Sequence, residues 1–128
     1  MRRNLDFMRH LMLSIEGEKG YLNEMKSKID EKYKEEYGEE FEEAINEHWL
    51  WLLEAEYIEA HVIPSADGYK KVFPPPHRLT YKGTESLDII RDERVWNTTK
   101  IRTENVKSVG LEIIKKIAAG ITEGMLTK

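Results

Sequence analysis

Hydrophobic residues near the start of the chain recur at the three- and four-residue spacing of a helix. This first stripe consists of Leu5, Met8, Met12 and Ile15. Asn4 is a suitable N-cap for the helix and Gly17 a suitable residue to end it. A second, highly charged helix is predicted from residue 21, on a face formed by Leu22, Met25, Ile29, Tyr33 and Tyr37. The end of that segment, up to Gly38, is compatible with helix, a short strand or a loop.

The strongest helical pattern begins at Glu39 and has a wide apolar face. The face comprises Phe41, Ala44, Ile45, His48, Trp49, Leu52 and Leu53, and it continues to Ala55. Four glutamates, at positions 39, 40, 42 and 43, cluster at its N-terminal end, where the helix dipole stabilises negative charge. The pattern therefore predicts a long helix that is broadly buried.

After this helix the pattern becomes typical of β-strands. Residues 57–63 form a β-like run that Pro64 closes, residues 65–68 have the composition of a turn, and residues 69–73 can extend again. Three successive prolines at positions 74–76 favour a polyproline backbone and exclude a central strand. We therefore expect the prolines to interrupt the second strand, which resumes over residues 78–80.

The last third of the chain is predicted to be helical. A helix follows Thr80, and its apolar positions are Leu87, Ile89 and Ile90. Asp92 is a suitable cap for a turn that leads into Val95 and Trp96. The final apolar stripe starts at Ser108 or Gly110 and comprises Leu111, Ile114, Ile117, Ala118, Ile121 and Met125.

This order of elements predicts an α+β fold of winged-helix type. A strong helix followed at once by a β-hairpin is the connection found in winged helices, where the hairpin is the wing. A length of 128 residues fits one domain. We expect a single domain over residues 1–128, with a helix-rich core over 1–92 and a C-terminal helical extension over 93–128.

Composition excludes several classes of protein. The chain has no cysteine, which rules out disulfides, thiol catalysis and thiolate metal sites. No apolar run approaches the length of a membrane span, and Asp6 and Arg9 interrupt what would be the core of a signal peptide. The sequence therefore predicts a cytoplasmic protein without a membrane partner.

Charge is distributed unevenly along the chain, although the net charge is only −4. Between Glu16 and Glu47 there are twelve acidic and five basic residues. Between Gly68 and Lys82 there are four basic residues and no acidic one. The molecule is predicted to have an acidic first half and a basic middle, and the location of these charges bears more on possible partners than their sum.

No catalytic, cofactor-binding or metal-binding motif is present, so we expect no enzymatic activity. The paired glutamates lie in sequence near a helix start and are best explained as solvated charge. Of the four histidines, His48 lies in the apolar face and is expected to be a hydrogen-bonded core residue. A metal shared by His61 and His77 across the hairpin is the less favoured interpretation. His10 belongs to no ligand pattern.

Three tryptophans and one glycine invite a structural interpretation before a functional one. Trp49 and Trp96 have apolar neighbours and are expected in the core. Trp51 lies off the main stripe of its helix and is a candidate interface residue. Gly83 is expected either where a side chain has no room or where φ is positive.

Two stretches carry a family resemblance. Residues 44–60 resemble the junction between helix and hairpin in winged-helix regulators, and Glu56 stands where such junctions commonly have Gly. Residues 78–100 contain the pattern Arg-Leu-Thr-x-x-Gly-x-Glu-x-Leu-Asp-x-Ile-Arg-Asp-x-x-Val-Trp-x-x-Thr-Lys. Together with the N-terminal residues 3–6, they resemble an uncharacterised family of small bacterial and prophage proteins, a domain of unknown function. The resemblance implies a winged-helix-like fold and no particular activity.

Three functions are compatible with this scaffold. A DNA-binding regulator would use the wing and the N-terminus, through Arg2, Arg3, Lys70, Lys71, Arg78 and Lys82. A protein-interaction module would use the acidic segment from Glu16 to Glu47 or the C-terminal helix. Its candidate interface residues are Trp51, Leu111, Ile114, Ile117 and Ile121. The C-terminal helix could also form a homodimer. A small hydrolase or nuclease lacks every expected motif. The acids of the strong helix disfavour its use as a DNA-recognition helix, because the phosphates of DNA would repel them.

Overall fold

The computed structural model of the chain describes residues 1–17, 21 and 25–127. This part contains six α-helices, a 3-10 turn and one two-stranded antiparallel sheet. The helices are α1 (Leu5–Glu16), α2 (Lys26–Tyr37), α3 (Phe41–Glu54), α4 (Tyr81–Ile90), α5 (Glu93–Thr103) and α6 (Leu111–Leu126). The strands are β1 (Ile58–Pro64) and β2 (Lys70–Leu79), and Gly38–Glu40 form the 3-10 turn. The predicted α+β class is confirmed, and the elements follow the predicted winged-helix-like order.

Helix α1 begins and ends where the sequence predicts. The Asn4 side chain accepts a hydrogen bond from the Phe7 amide, and Gly17 ends the helix with a φ of 77°. Of the predicted apolar stripe, Met8 and Met12 are buried, whereas Leu5 and Ile15 are half-buried. The helix also buries Phe7, His10, Leu11 and Leu13.

Helix α2 includes the end of the charged segment, for which the sequence leaves helix, strand and loop open. It continues to Tyr37 and passes directly into the 3-10 turn, so the alternatives of a strand or loop before Gly38 are wrong. Tyr33 is its buried residue, whereas Met25 is 47% exposed. Leu22, the first residue of the predicted face, lies outside the described residues.

Helix α3 ends in a Schellman motif that leads straight into β1. The Glu56 amide donates to the Leu53 carbonyl at 3.0 Å, and the Tyr57 amide donates to the Leu52 carbonyl at 2.8 Å. Tyr57 and Leu52, which occupy the two positions that make the hydrophobic contact in this motif, are both buried. Glu56 has a φ of 65°, a left-handed conformation that glycine adopts more easily.

Strand β2 runs through the three prolines, where the sequence predicts a break between two strands, but its pairing with β1 is interrupted at the prolines. Pairing runs from Pro64 opposite Lys70 to Ile58 opposite Leu79, with a register shift between Glu59 and His61. The shift places residues 74–77 in a bulge on β2. Prolines are tolerated because both strands of a two-stranded sheet have an open edge, and a bulge needs no ladder hydrogen bond.

Thr80 and Gly83 connect the end of the hairpin to the end of α3. The Thr80 amide donates to the Tyr57 carbonyl at 2.9 Å, and its hydroxyl donates to the Glu56 carbonyl. The Gly83 amide donates to the Thr80 hydroxyl at 3.0 Å, which caps α4. Gly83 has no positive φ and lies against the Tyr57 backbone, so the first of its two predicted roles is confirmed.

The C-terminal helices follow their predicted capping signals. The Asp92 carboxylate accepts from the Arg94 and Val95 amides at the start of α5, and Gly110 caps α6. Buried residues of these two helices are Val95, Trp96, Thr99, Ile114, Ala118 and Ile121. Trp96 is therefore a core residue, as predicted.

The chain divides into two compact units, Met1–Thr84 and Glu85–Lys128. The first unit contains α1, α2, α3 and the hairpin, and the second contains α5 and α6. The single domain over residues 1–128 stays a prediction. Among the described residues, no helix has the length and apolar character needed to cross a membrane.

Candidate functional site

Asn46 joins α3 to the outer edge of β2. Its side-chain amide donates to the Lys70 carbonyl at 3.1 Å, and its side-chain oxygen accepts from the Val72 amide at 2.9 Å. The side chain therefore satisfies two main-chain groups that β1 does not reach. This contact holds the hairpin against one face of α3.

A groove opens beside this contact, and we call it the α3–hairpin groove. Its volume is about 730 Å³. It is lined by Glu42, Glu43, Ile45, Asn46, Glu47, Trp49, Ser65, Asp67, Tyr69, Lys70, Lys71, Val72 and Pro74. Helix α3 supplies an acidic wall, and the start of β2 supplies two lysines.

The acidic wall retains its charge. Within the described residues, Glu42, Glu43 and Glu47 have no ion-pair partner. Asp67 accepts hydrogen bonds from the Ser65 hydroxyl and the Tyr69 amide, and these hold the pKa of its carboxyl below the usual range. The groove therefore contains four acidic side chains and two lysines.

Aromatic side chains lie beside these charges. Trp49 is half-buried, and its indole Nε1 is a buried donor with no acceptor among the described residues. The expectation that Trp49 belongs to the core is therefore met only in part. Tyr69 is 72% exposed at the tip of the hairpin. The groove thus offers ring faces as well as carboxylates.

The structure places the six predicted nucleic-acid contacts in different surroundings, and their contact with nucleic acid stays a prediction. Arg78 is ion-paired with Glu59 across the hairpin at 2.9 Å, and the Lys82 ammonium lies 5.7 Å from the centre of the Tyr57 ring. Lys70 and Lys71 line the groove that the α3 acids share. Arg2 and Arg3 are exposed at the N-terminus. Arg78 and the two lysines therefore lie near acidic residues of β1 and α3, which the composition of residues 68–82 alone does not indicate.

The predicted interface residues differ in how far they are buried. The Trp51 ring packs edge-on against the His48 ring, with 5.0 Å between centroids, and Trp51 is half-buried. Ile114 and Ile121 are only 4% and 7% exposed, because they belong to the core of this chain. Leu111 and Ile117 are half-buried. A homodimer through α6 stays a prediction, and Ile114 and Ile121 have little surface to contribute to it.

His48 is a hydrogen-bonded core residue, as predicted. Its Nδ1 donates to the Ala44 carbonyl at 2.7 Å, and its Nε2 accepts from the Asn4 amide at 2.9 Å. Burial lowers the pKa of His48, so the ring is neutral at neutral pH. His61 pairs with Phe73 in the hairpin and not with His77. In the part of the chain that is described, no three His, Cys, Asp or Glu residues are placed to hold a metal ion.

A comparison with protein families gives a match over most of the chain. The family model described as "Hypothetical protein (DUF2513)" matches residues 2–110. The chain belongs to this family. The predicted resemblance to a domain of unknown function is thereby confirmed, and the matched residues include the whole α3–hairpin groove.

One relative extends over nearly the full length. An uncharacterized protein of Haemophilus influenzae is 28% identical over 128 residues, which cover 98% of this chain and 99% of the relative. No solved structure matches the chain. These similarities establish the family of the chain and no activity.

Proposed function

We propose that this protein is a non-enzymatic, cytoplasmic interaction module that binds a basic segment of a partner protein in the α3–hairpin groove. The acidic wall formed by Glu42, Glu43 and Glu47 carries the proposal, since none of these carboxylates has a cation paired with it among the described residues. Carboxylates grouped along an open groove attract lysine and arginine side chains and steer their approach.

The opposite wall would orient such a segment. Lys70 and Lys71 repel cations, so basic side chains are expected to lie towards α3 and not towards β2. The rings of Trp49 and Tyr69 offer faces on which guanidinium groups stack. Charge and aromatic surface therefore favour the same class of ligand, an arginine-rich stretch of polypeptide.

DNA is the alternative partner, and the charges favour it less. In a winged helix the helix before the hairpin enters the major groove, and here that helix exposes Glu42 and Glu43. Arg78, a predicted contact at the base of the hairpin, is already ion-paired with Glu59. A DNA-binding regulator, prophage-linked or not, would depend on Lys70 and Lys71 of the wing.

A binding assay with matched variants tests the proposal. The probe is a short fluorescein-labelled peptide of alternating arginine and alanine, and the measurement is fluorescence anisotropy at increasing salt. The double change Glu43→Gln and Glu47→Gln should weaken binding about tenfold. The matched control, Glu35→Gln with Glu36→Gln, removes the same charge from exposed positions on α2 outside the groove and should have little effect.

Two results would overturn the proposal. Equal weakening by both double variants would show that the peptide responds only to net charge. Labelled duplex DNA provides the second comparison: salt-dependent binding that is lost in Lys70→Ala with Lys71→Ala, without peptide binding, would make DNA the partner.

A further inference from the structure

Two hydrogen bonds at the ends of the hairpin fix which main-chain groups of β1 face β2. Directly after β1, the Ser65 amide donates to the Tyr69 carbonyl at 2.9 Å, so Ser65 faces the opposite strand. Directly before β1, the Tyr57 carbonyl accepts from the Thr80 amide at 2.9 Å, so Tyr57 faces it as well. Main-chain groups alternate in direction along a strand. The odd-numbered residues of β1 therefore bond to β2, and the main-chain groups of its even-numbered residues point away from it.

The pairing on β2 agrees with this alternation. The Val72 amide donates to the Asn46 side-chain oxygen at 2.9 Å and therefore points away from Val62, its partner in the register. Ala60 and Val62 are half-buried, and no described residue outside the hairpin bonds to their main-chain groups. We call the outward main-chain groups of Ala60, Val62 and Pro64 the β1 edge. Pro64 contributes only its carbonyl.

The two edges of the hairpin are protected to different degrees. Asn46 occupies the outer edge of β2, whereas β1 contains no lysine and the bulge lies on the opposite strand. Lysines, bulges and covering elements are the usual means by which proteins prevent an edge strand from pairing with another chain. Ile63 and Phe73, on the solvent face of the hairpin, are 40% and 55% exposed. An unprotected edge beside exposed apolar side chains is suited to bind an extended strand.

We propose that the β1 edge pairs with the same edge of a second copy of this chain, so that two hairpins form one antiparallel four-stranded sheet. With the twofold axis at Val62, each Val62 amide donates to the Val62 carbonyl of the other copy. Each Ala60 amide donates to the Pro64 carbonyl of the other copy. The amide that proline lacks leaves only the Ala60 carbonyl without a donor.

The side chains of β1 are compatible with a copy of themselves. Glu59 is the one charged residue of the strand at neutral pH, and in this register it faces Ser65 of the other copy. Six positions then separate the two Glu59 side chains along the strand, about 20 Å, so like charges are not opposed. Ile63 lies beside His61 of the other copy, which covers part of its exposed surface.

This surface is distinct from the surface proposed to bind a peptide. The β1 edge lies on the opposite side of the hairpin from Asn46, and it includes neither Glu43 nor Glu47 of the α3–hairpin groove. Self-association therefore does not depend on the proposed peptide binding. The double change Glu43→Gln and Glu47→Gln should weaken peptide binding and leave self-association unchanged.

Sedimentation velocity of the full chain at increasing concentration tests the proposal. We expect a reversible rise from the mass of one chain towards that of two, with a dissociation constant of about 0.1 mM, because the contact is only one strand wide. Val62→Pro removes a donor that the hairpin does not use, and it should weaken association at least about tenfold. The matched control is His77→Pro, which adds a proline to the unpaired part of β2 and should leave association unchanged.

Amide hydrogen exchange of the unmodified protein provides a test that does not depend on any variant. The amides of Ala60 and Val62 should exchange more slowly at high protein concentration than at low concentration. The Ile63 amide bonds within the hairpin and should change less. A mass that does not depend on concentration, or association that a folded Val62→Pro variant retains in full, would overturn the proposal. Protection that appears in α6 and not at Ala60 and Val62 would also overturn it, in favour of a homodimer through α6.

Discussion

Gly83 lies so close to Tyr57 that a β-carbon at position 83 would stand 2.0 Å from the Tyr57 carbonyl oxygen. That carbonyl also accepts the Thr80 amide, so the first turn of α4 is fixed against the strand that begins the hairpin. The Leu-Thr-x-x-Gly sequence of residues 79–83 is therefore a structural joint. Its glycine is required by close backbone contact and not by a ligand.

Gly83→Ala should destabilise the protein by roughly 2–4 kcal/mol, since the new methyl group meets main-chain atoms that cannot rotate away. Urea denaturation measures the free energy of unfolding. The matched control is Gly120→Ala in α6, where a β-carbon meets nothing within 4 Å. That change should stabilise by about 0.5–1 kcal/mol, because alanine is the better helix former. Equal stability of the Gly83→Ala variant and the parent would contradict the close approach.

Glu56→Gly should stabilise the protein by about 1 kcal/mol. Glu56 holds a φ of 65° at the end of α3, and a residue with a side chain is strained there. The gain is limited because glycine also increases the entropy of the unfolded chain. Glu54→Gly, two residues earlier at the last helical position of α3, serves as the control and should destabilise by up to about 1 kcal/mol. Thermal and urea unfolding of the two variants should therefore change in opposite directions.

Local signals in the sequence predict much of the fold. The caps at Asn4, Gly17 and Asp92 are recognisable because a cap acts within three or four residues of its helix end. The course of β2 through three prolines is not predictable in this way, since it depends on the bulge opposite β1 and on there being no further strand beside β2 among the described residues. The burial of Ile114 and Ile121, which the stripe of α6 leaves ambiguous between core and interface, depends on packing against other elements.

The candidate site is less predictable than the fold. The acids of α3 and the lysines of β2 are each visible in the sequence, but their common groove depends on contacts between distant residues. Asn46 and Lys70, which fix that groove, are 24 positions apart. Arg78 is likewise a candidate DNA contact in the sequence, whereas in the structure it is ion-paired with Glu59 on the other strand. An asparagine in the middle of a strongly predicted helix is the one available signal, because asparagine is a weak helix former whose side chain readily bonds to main-chain groups.

Asn46→Ala should destabilise the protein by about 1–2 kcal/mol and loosen the hairpin tip. The change leaves the Val72 amide and the Lys70 carbonyl without their partner on α3, and the Val72 amide is partly buried. Hydrogen exchange should accelerate at Val72 more than at Val62, its partner in the hairpin. Asn46→Asp keeps the acceptor for Val72 and should restore part of that protection. Unchanged exchange in Asn46→Ala would show that the hairpin is held by other contacts.

Acidification from neutral pH to about pH 5 should destabilise the fold through two buried histidines. Burial lowers the pKa of His48 and of His10 below the usual histidine value of 6.5, and for His10 it outweighs the opposing effect of Asp30. The unfolded chain therefore binds protons first. Stability is fully present above pH 6.5 and falls below it, by up to about 1.4 kcal/mol per pH unit for each histidine.

Urea denaturation at several pH values between 5 and 7.5 measures how the free energy of unfolding depends on pH. Histidine variants then show which residue causes this dependence. His48→Gln and His10→Gln should each lower stability at pH 7.5, because each removes a buried, hydrogen-bonded ring, and each should also flatten the dependence on pH. The exposed His61 provides the control, and His61→Gln should keep the slope of the parent. Protonation of His48 removes the acceptor of the Asn4 amide, so the loss of stability should begin with release of the N-terminus of α1. Amide hydrogen exchange is base-catalysed and by itself slows as the pH falls. If the Asn4 amide exchanges faster at pH 5.5 than this chemical effect allows, the N-terminus of α1 has been released.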